Sequence, residues 1–285
     1  MAGRLVRPSS TLLKTFQSWK GGSIRVEKND KLKGRLDVVL DRPEKNNCLS
    51  GEMMREFGEQ IEKISSDENS VIVVYGIGKS FCSGADLGLI KDVSSESSIS
   101  ANGIKNLQIS DQNLGVQMFE YMSTILSLLN SSPAISIAKI HGHALGGATE
   151  ICSATDIRIA HSDARIAFFQ SKMGIVPSWG GAEYLEKIMG RGRALAAMGR
   201  ANVMSADEAK QLGYVDFVYE TEEEAESFIS QVASGGNVVT RAQKAMLNAV
   251  KKGSQEEQKK ILEDVWNGET HRNALKKQLE AVVKK

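Results

Sequence analysis

Two glycine-containing turns carry the groups in this sequence best suited to chemistry. The first turn is FCSGADL at 81–87, directly after the apolar run VIVVYG, and the second is HALGGATE at 143–150, directly after ISIAKI. A turn between a strand and a helix leaves backbone N–H groups unpaired, and glycine lets a ligand approach them closely. Two such turns, each donating one N–H to the same atom, would form an oxyanion hole for a carbonyl oxygen that becomes negative. The alternative for the first turn, taken alone, is an ordinary strand-to-helix connection.

One acid stands next to the second turn. Glu150 follows Gly147 by three residues, about one helical turn, so its carboxylate can lie over the same position. The alternative is an acid in the first helical turn that interacts only with the helix dipole. His141 and His143 flank this turn, but no Cys, His or Asp lies at metal-ligand spacing from them. We therefore expect both histidines to serve in packing or hydrogen bonding, and we predict no metal site.

A third stretch, FFQSKMGIVPSWGG at 168–181, is typical of the wall of a small-molecule pocket. It is apolar, contains turn residues at Gly174 and Pro177, and presents one tryptophan, Trp179. Its single ionisable residue is Lys172, and an amide, Gln170, stands where a catalytic acid would be expected. The reaction must therefore tolerate a pocket wall that has no carboxylate.

The elements that must position these turns alternate along the chain. Short β-rich runs occur at 23–27, 36–41, 71–76, 135–140, 157–161 and 165–169, and apolar stripes of helical period occur at 51–66 and 113–130. Strands separated by helices indicate βαβ crossovers and an α/β fold. After about residue 180 the pattern is mostly helical, with Ser/Thr-x-x-Glu capping boxes beginning at Ser205, Thr221 and Ser254. We predict a basic segment at 1–20, an α/β core at 21–200, a C-terminal helical region at 201–285, and a mobile loop at 93–112 beside the site.

Composition limits the classes of partner and compartment. The chain has 285 residues and a formal net charge of +1, so no nucleic-acid partner is indicated, and no apolar run is long enough to span a membrane. Three widely spaced cysteines favour a reducing compartment. Residues 1–20 contain four basic residues and no acid, which is typical either of a mitochondrial transit peptide or of a disordered tail on a cytosolic protein. We predict the cytosol, with the mitochondrion as the alternative.

Four blocks of the sequence resemble, in order, those of the crotonase, or enoyl-CoA hydratase/isomerase, superfamily. They are RPEKNNCLS at 42–50, GKSFCSGADL at 78–87, HGHALGGATEICSATDIRIA at 141–160 and MGIVPSWGG at 173–181. Their spacing is compatible with that superfamily across about residues 23–280. The resemblance implies a crotonase-like spiral of ββα repeats and an acyl-CoA substrate. It also implies no cofactor other than the coenzyme A carried by the substrate, and a homotrimer or hexamer.

The same resemblance implies roles for individual residues. Ala85 and Gly147 would supply the two oxyanion N–H groups, and Glu150 would be the catalytic acid. The coenzyme A portion of the substrate would be bound by Cys48, Cys82, Ser83 and Lys276 (or Lys277). The acyl pocket would be formed by Gln170, Ile175, Pro177 and Trp179.

The identity of residue 170 bears on the reaction. Hydratases of the superfamily use two glutamates, and the second corresponds here to Gln170, whose amide cannot transfer protons as a carboxyl group does. Loss of CO2 from a malonyl-type thioester needs enolate stabilisation and one proton donor. The wall at 173–181 also resembles that of superfamily members acting on ethylmalonyl-CoA. We predict a decarboxylase of short α-alkyl malonyl-CoA thioesters, such as ethylmalonyl-CoA and methylmalonyl-CoA. The alternatives are an enoyl-CoA hydratase/isomerase using Glu150 alone and a non-catalytic protein that binds acyl-CoA or RNA.

Overall fold

The structure is a computed structural model that describes residues 7–65, 68–87 and 112–283. Apart from Gln112, the loop predicted at 93–112 lies outside the described residues. Six strands form one sheet in the order β1-β2-β3-β4-β6-β9, and three short strands form a second sheet in the order β5-β7-β8. The strands are β1 (Ser23–Lys28), β2 (Arg35–Asp41), β3 (Val71–Gly76), β4 (Ile135–Ile140), β5 (His143–Leu145), β6 (Ile157–His161), β7 (Arg165–Ala167), β8 (Met204–Ser205) and β9 (Phe217–Tyr219).

Helices connect the strands and cover the larger sheet. They are α1 (Ser10–Ser18), α2 (Gly51–Ile64), α3 (Gln112–Ser131), α4 (Gly147–Ala154), α5 (Gly181–Met189), α6 (Arg191–Arg200), α7 (Ala206–Gln211), α8 (Glu222–Val232), α9 (Gly236–Lys251), α10 (Gln255–Val265) and α11 (Glu269–Val283). In the larger sheet β1 is antiparallel to β2, and every other neighbouring pair is parallel. The predicted α/β class is therefore confirmed. Among the described residues, no helix is both long and apolar enough to cross a bilayer.

Strand β3 shows why a parallel sheet forms here. Its side chains point alternately to the two faces of the sheet. Ile72 and Val74 pack in the main apolar cluster with helices α2 and α3, whereas Val71 and Val73 pack in a second cluster under helix α8. Because both faces are covered, a continuous β-branched run is favoured over an alternating one.

The N-terminal segment differs from one of the two predictions made for it. Residues 10–18 form helix α1 instead of a disordered tail, with Ser9 capping the helix through its hydroxyl. The apolar residues Leu12, Phe16 and Trp19 are buried in the main cluster. The basic side chains of this segment, Lys14 and Lys20, lie on the exposed face. Helix α1 is therefore an amphipathic element of the core.

The C-terminal region also departs from its predicted start at residue 201. Strand β9 pairs in parallel with β6, so the large sheet is completed beyond that boundary. Ser205 and Glu208 form the predicted capping box, and the Thr221 and Ser254 hydroxyls accept the N–H of the residue three positions later. The sheet thus extends to residue 219, and the purely helical region begins with α8.

Candidate active site

A cavity of about 400 Å³ lies where the two glycine turns meet the 168–181 wall. The cavity is lined by residues from separate parts of the chain: Trp19, 83–87, Met118, 145–147, Glu150 and parts of the stretch 169–179. Most of its surface is apolar. Among the described residues, its lining contains two acids, Asp86 and Glu150, and no Lys, Arg or His side chain.

Short bonds between main-chain groups hold the two turns together. The Leu145 N–H donates to the Cys82 carbonyl at 3.1 Å, and the Cys82 N–H donates to the His143 carbonyl at 2.9 Å. A Cβ on Gly84 would lie 2.8 Å from the Leu145 carbonyl oxygen and 3.3 Å from the Gly147 nitrogen, and Gly84 has φ +94°. Only glycine fits so close an approach in this backbone conformation.

The amides of Ala85 and Gly147 are both available for a ligand. Neither donates to a backbone or side-chain acceptor among the described residues, and both residues line the cavity. The Gly147 amide stands at the N-terminus of α4, where the helix offers no internal acceptor. The turns therefore bring two unpaired donors to the same cavity.

Glu150 lies on helix α4 and is 2% exposed. Its Oε1 accepts from Gln170 Nε2 at 3.2 Å and from the Ser178 N–H at 3.0 Å. Its Oε2 accepts from the Trp179 N–H at 2.7 Å and from the Gly181 N–H at 2.9 Å. A carboxylate has about four lone-pair positions, so all of them are occupied.

Burial and hydrogen bonding act in opposite directions on the Glu150 carboxyl group. Burial removes water from the charged form and raises the pKa, whereas the four N–H donors stabilise the charge and lower it. Burial is the larger effect, so the pKa of Glu150 lies above its usual value. The group is therefore more readily protonated than an exposed glutamate.

Gln170 lies on a short 3-10 segment, Phe169–Met173, that ends at Gly174 in the left-handed conformation. Its amide is buried, and Nε2 donates to Glu150, while Oε1 has no partner among the described residues. The opposite amide orientation would bring Oε1 against the Glu150 carboxylate. The hydrogen bond to Glu150 thus fixes the Gln170 amide and leaves its oxygen unpaired.

The predicted substrate-binding residues separate into two groups. Ser83, Gln170, Ile175 and Trp179 line the cavity, as do all three predicted catalytic residues. Four predicted residues are absent from the lining: Cys48, Cys82, Pro177 and Lys276.

Each of these four has another environment. The Cys82 thiol accepts the Gly84 N–H at 3.3 Å, and burial raises its pKa to about 12, so it supports the turn as a neutral group. Cys48 lies beside Arg42, with the Arg42 Nη1 3.5 Å from its sulfur atom. Pro177 is half-buried within the 168–181 wall, and Lys276 is exposed on α11.

Sequence reasoning missed Trp19 and Met118, which also line the cavity. A signal for Trp19 exists, because Leu12, Phe16 and Trp19 follow the i, i+4, i+7 spacing of a buried helical stripe. The basic composition of residues 1–20 obscured that stripe.

Comparison with known proteins identifies the family of this chain. The chain belongs to the enoyl-CoA hydratase/isomerase family, whose model matches residues 33–285. It is 31% identical over 274 residues to a protein of Xenopus laevis named ethylmalonyl-CoA decarboxylase, covering 93% of this chain and 86% of that protein. The predicted superfamily is therefore confirmed.

Solved structures show the same fold. An enoyl-CoA hydratase from Thermoplasma volcanium GSS1 superposes with a TM-score of 0.75 at 27% identity, covering 89% of this chain and 96% of that one. A Thermobifida fusca YX protein in complex with acetoacetyl-CoA superposes with a TM-score of 0.67 at 21% identity, covering 98% and 99%. The crotonase fold predicted from the sequence is confirmed.

Proposed function

We propose that this protein is a carbon–carbon lyase that decarboxylates short α-alkyl malonyl-CoA thioesters, with ethylmalonyl-CoA and methylmalonyl-CoA as substrates. One observation carries the proposal: a cavity with two unpaired amides contains a buried glutamate whose neighbour is an amide, Gln170. That pair offers one proton donor where hydration needs an acid and a base. The names of the similar proteins support the same activity.

The reaction breaks the bond between the α-carbon and the carboxylate carbon of the substrate. The electron pair of that bond moves toward the thioester carbonyl, CO2 leaves, and a thioester enolate remains. One proton then adds to the α-carbon and gives the saturated acyl-CoA. The charge is balanced, because the carboxylate charge passes to the enolate and is neutralised by that proton.

The amides of Ala85 and Gly147 would stabilise the enolate oxygen. Both line the cavity and both are unpaired among the described residues, so a thioester carbonyl can accept from them without displacing another bond. One such donor contributes on the order of 3–4 kcal/mol to stabilisation of a developing oxyanion.

Glu150 would deliver the proton to the enolate carbon. Protonation at Oε1 requires one donor to leave, and three of the four donors are backbone N–H groups. Gln170 is the side-chain donor, and its amide can rotate so that the oxygen accepts from the protonated carboxyl group. The unpaired Oε1 of Gln170 then gains a partner.

The absence of a cation from the described cavity lining also favours loss of CO2. A carboxylate that enters an apolar cavity loses water without gaining an ion pair, which raises the free energy of the bound substrate. The charge is more dispersed in the enolate and is met by two amide donors. An arginine or lysine in contact would instead stabilise the intact carboxylate.

The test is incubation of the protein with ethylmalonyl-CoA and with crotonyl-CoA, with each product followed by mass. We expect CO2 release and butyryl-CoA from the first substrate. The second candidate, hydration by Glu150 alone, is favoured by structural neighbours named enoyl-CoA hydratase. Water addition to crotonyl-CoA at a comparable rate, without CO2 release, would establish that candidate and overturn the decarboxylase.

Glu150→Gln distinguishes an enzyme from a protein that only binds acyl-CoA. We expect a loss of turnover of at least about 100-fold with butyryl-CoA binding retained, because general acid–base catalysis contributes that much. Glu263→Gln is the matched control, since Glu263 is exposed on α10. Unchanged product formation by Glu150→Gln would remove Glu150 from the mechanism.

We also propose that the protein works in the cytosol with residues 10–19 retained, as a homotrimer or hexamer. Removal of residues 1–20 as a transit peptide would take Phe16 and Trp19 out of the core. Exposed apolar residues on the C-terminal helices, such as Leu262, Trp266 and Leu279, suit contact with further copies. Light scattering after gel filtration tests the assembly, and a reporter fused to residues 1–20 tests the compartment.

A further inference from the structure

Arg42 is a buried cation that contacts the Ala85 turn. It follows directly after strand β2, and its guanidinium Nη1 donates to the Asp86 carboxylate at 2.6 Å and to the Cys48 carbonyl at 3.3 Å. Asp86 is the residue after Ala85, and both line the cavity. A buried arginine is therefore bound to the turn that carries one of the two candidate oxyanion donors.

The surroundings of Arg42 fix the position from which it reaches this turn. Its main-chain N–H donates to Asn47 Oδ1 at 2.8 Å, and the Asn47 amide donates to two main-chain carbonyls after strand β3 at 2.8 and 2.7 Å. A Cβ on Gly21 would lie 3.0 Å from Arg42 Nη2, so the main chain at Gly21 lies against the guanidinium group. Arg42 thus joins the ends of two strands to Asp86.

Two main-chain bonds to Leu49 set the direction of the Ala85 N–H. The Gly84 carbonyl accepts the Leu49 N–H at 2.8 Å, and the Asp86 N–H donates to the Leu49 carbonyl at 3.0 Å. In a planar trans peptide the C=O and the N–H point in opposite directions, so the Ala85 N–H points away from Leu49. Because Gly84 is conformationally permissive, this direction depends on the bonds made by the residues around it.

We propose that Arg42 is a positioning residue for the oxyanion hole, and that it holds the Ala85 amide in place through its ion pair with Asp86. The inference rests on the proposed function for the use of that amide by a thioester carbonyl. Arg42 is absent from the described cavity lining, so it contacts the turn and not the substrate. The two charges of the pair offset each other, so the turn is anchored without a net charge beside the forming enolate.

The first experiment compares kcat and KM for ethylmalonyl-CoA in Arg42→Met and in a matched control, Arg35→Met. Arg35 is buried at the other end of β2 and donates to Asp37 at 2.6 Å, so its loss also breaks a buried ion pair. We expect kcat to fall at least about tenfold in Arg42→Met with KM changed less than about twofold, because the oxyanion hole acts mainly in the transition state. Equal losses of kcat in both variants, or no loss in Arg42→Met, would overturn the proposal.

Substitution of Asp86 tests whether Arg42 acts through this residue. Asp86→Ala removes the acceptor of the ion pair, so Arg42→Met should cause no further loss of kcat in that background. Asp86→Asn keeps an oxygen that Arg42 can bind, so it should retain most of the turnover. A further loss in the Asp86→Ala background would contradict the proposal, as would a loss in Asp86→Asn as large as that in Asp86→Ala.

An infrared measurement reports on the hydrogen bonds of the hole without turnover. The probe is bound butyryl-CoA carrying carbon-13 at its thioester carbonyl. Hydrogen bonds to the carbonyl oxygen lower its stretching frequency, so we expect part of this lowering to be lost in Arg42→Met and kept in Arg35→Met. An unchanged band in Arg42→Met would overturn the proposal. If Arg42→Met does not fold, Asp86→Ala takes its place with the same two outcomes.

Failure of the proposed function is distinguishable from failure of this inference. If the wild-type protein releases no CO2 while the carbonyl band still depends on Arg42, the positioning role stands and the decarboxylase does not. If CO2 release is observed and neither kcat nor the band responds to Arg42→Met, the reverse holds.

Discussion

Glu150 and Trp19 line the same cavity, but the wall around Glu150 is held by hydrogen bonds and the wall around Trp19 by apolar packing. Glu150 receives four N–H donors, three of them from the main chain at 178–181. Trp19 is held by the burial of Leu12 and Phe16 and by a main-chain bond to Glu52, while its indole N–H is unpaired.

The difference indicates how each wall should respond to substitution. A hydrogen-bonded wall fixes the direction of polar groups, so changes there should alter turnover before they alter stability. A packed wall contributes to stability through buried apolar volume. Changes there should therefore lower the free energy of unfolding and weaken binding of the acyl group. Substitutions in the two walls and the pH dependence of stability test this contrast.

Gly147→Ala should have the largest effect, through the hydrogen-bonded wall. The new Cβ would lie 2.4 Å from Cζ3 of Trp179, whose ring is 2% exposed and cannot withdraw. The amide of residue 147 must then shift, and we expect turnover of ethylmalonyl-CoA to fall by about 100-fold or more. Gly199→Ala on α6 is the control, because nothing lies within 4 Å of its added methyl group. Turnover retained in Gly147→Ala would mean that this amide is not used.

Phe16→Ala should have the next largest effect, and it should act through the packed wall. The Phe16 ring is fully buried, with its centroid 5.4 Å from that of Tyr121. We expect the free energy of unfolding, measured in urea, to fall by about 3 kcal/mol. Lys14→Ala on the exposed face of the same helix should change it by less than about 0.5 kcal/mol. Equal effects of the two variants would contradict the docking of α1.

Gln170→Glu should have a smaller effect on turnover and should change the kind of reaction. It places a second carboxyl group where the amide now lies 3.2 Å from Glu150 Oε1, so the two like charges repel each other and the substrate carboxylate. We expect decarboxylation to fall about tenfold near neutral pH, and hydration of crotonyl-CoA to become measurable. Gln170→Met, which is similar in size and uncharged, should not support hydration. Hydration by both variants would show that the second carboxyl group is irrelevant.

The pH dependence of stability should give the smallest effect. The pKa of Glu150 is raised in the folded protein, mainly by burial, so the folded state binds this proton more tightly than the unfolded chain. The resulting stabilisation is complete below the unfolded pKa of about 4.5 and is lost as pH rises through the folded value.

Urea denaturation at a series of pH values measures this dependence. The free energy of unfolding of the wild type should fall relative to that of Glu150→Gln as pH rises above about 4.5. Other titrating groups are common to both proteins, and the hydrogen bonds altered by the substitution add a constant difference. A parallel pair of curves would show that the pKa of Glu150 is not raised.

Much of the fold could be predicted because local pattern and tertiary environment agree. The runs at 71–76 and 135–140 form strands with those bounds, and the stripe at 51–66 forms helix α2. Strands β5, β8 and β9 have only two or three residues, too few to show a period, and the sequence did not indicate them. Capping chemistry was visible, because Ser205 and Glu208 act on their own helix.

The candidate site was predictable only in part. The turns at 81–87 and 143–150 were recognisable because each places glycine a few residues after an apolar strand-forming run. Cys48, Cys82 and Lys276 were expected to contact coenzyme A, but they do not line the cavity. Sequence adjacency to a turn does not determine which way a side chain points, as Cys82 shows by bonding to the Gly84 amide.

The sequence by itself determined the α/β class, the two glycine turns, the presence of Glu150 and the amide side chain at Gln170. These features depend on residue type and on spacings of a few residues. The tertiary structure decided that Gln170 donates to Glu150 across twenty residues and that Trp19, far from both in the chain, lines their cavity. The physical reason is that an amphipathic helix such as α1 carries a buried face in its pattern, whereas the surface it covers is chosen by packing of the whole chain.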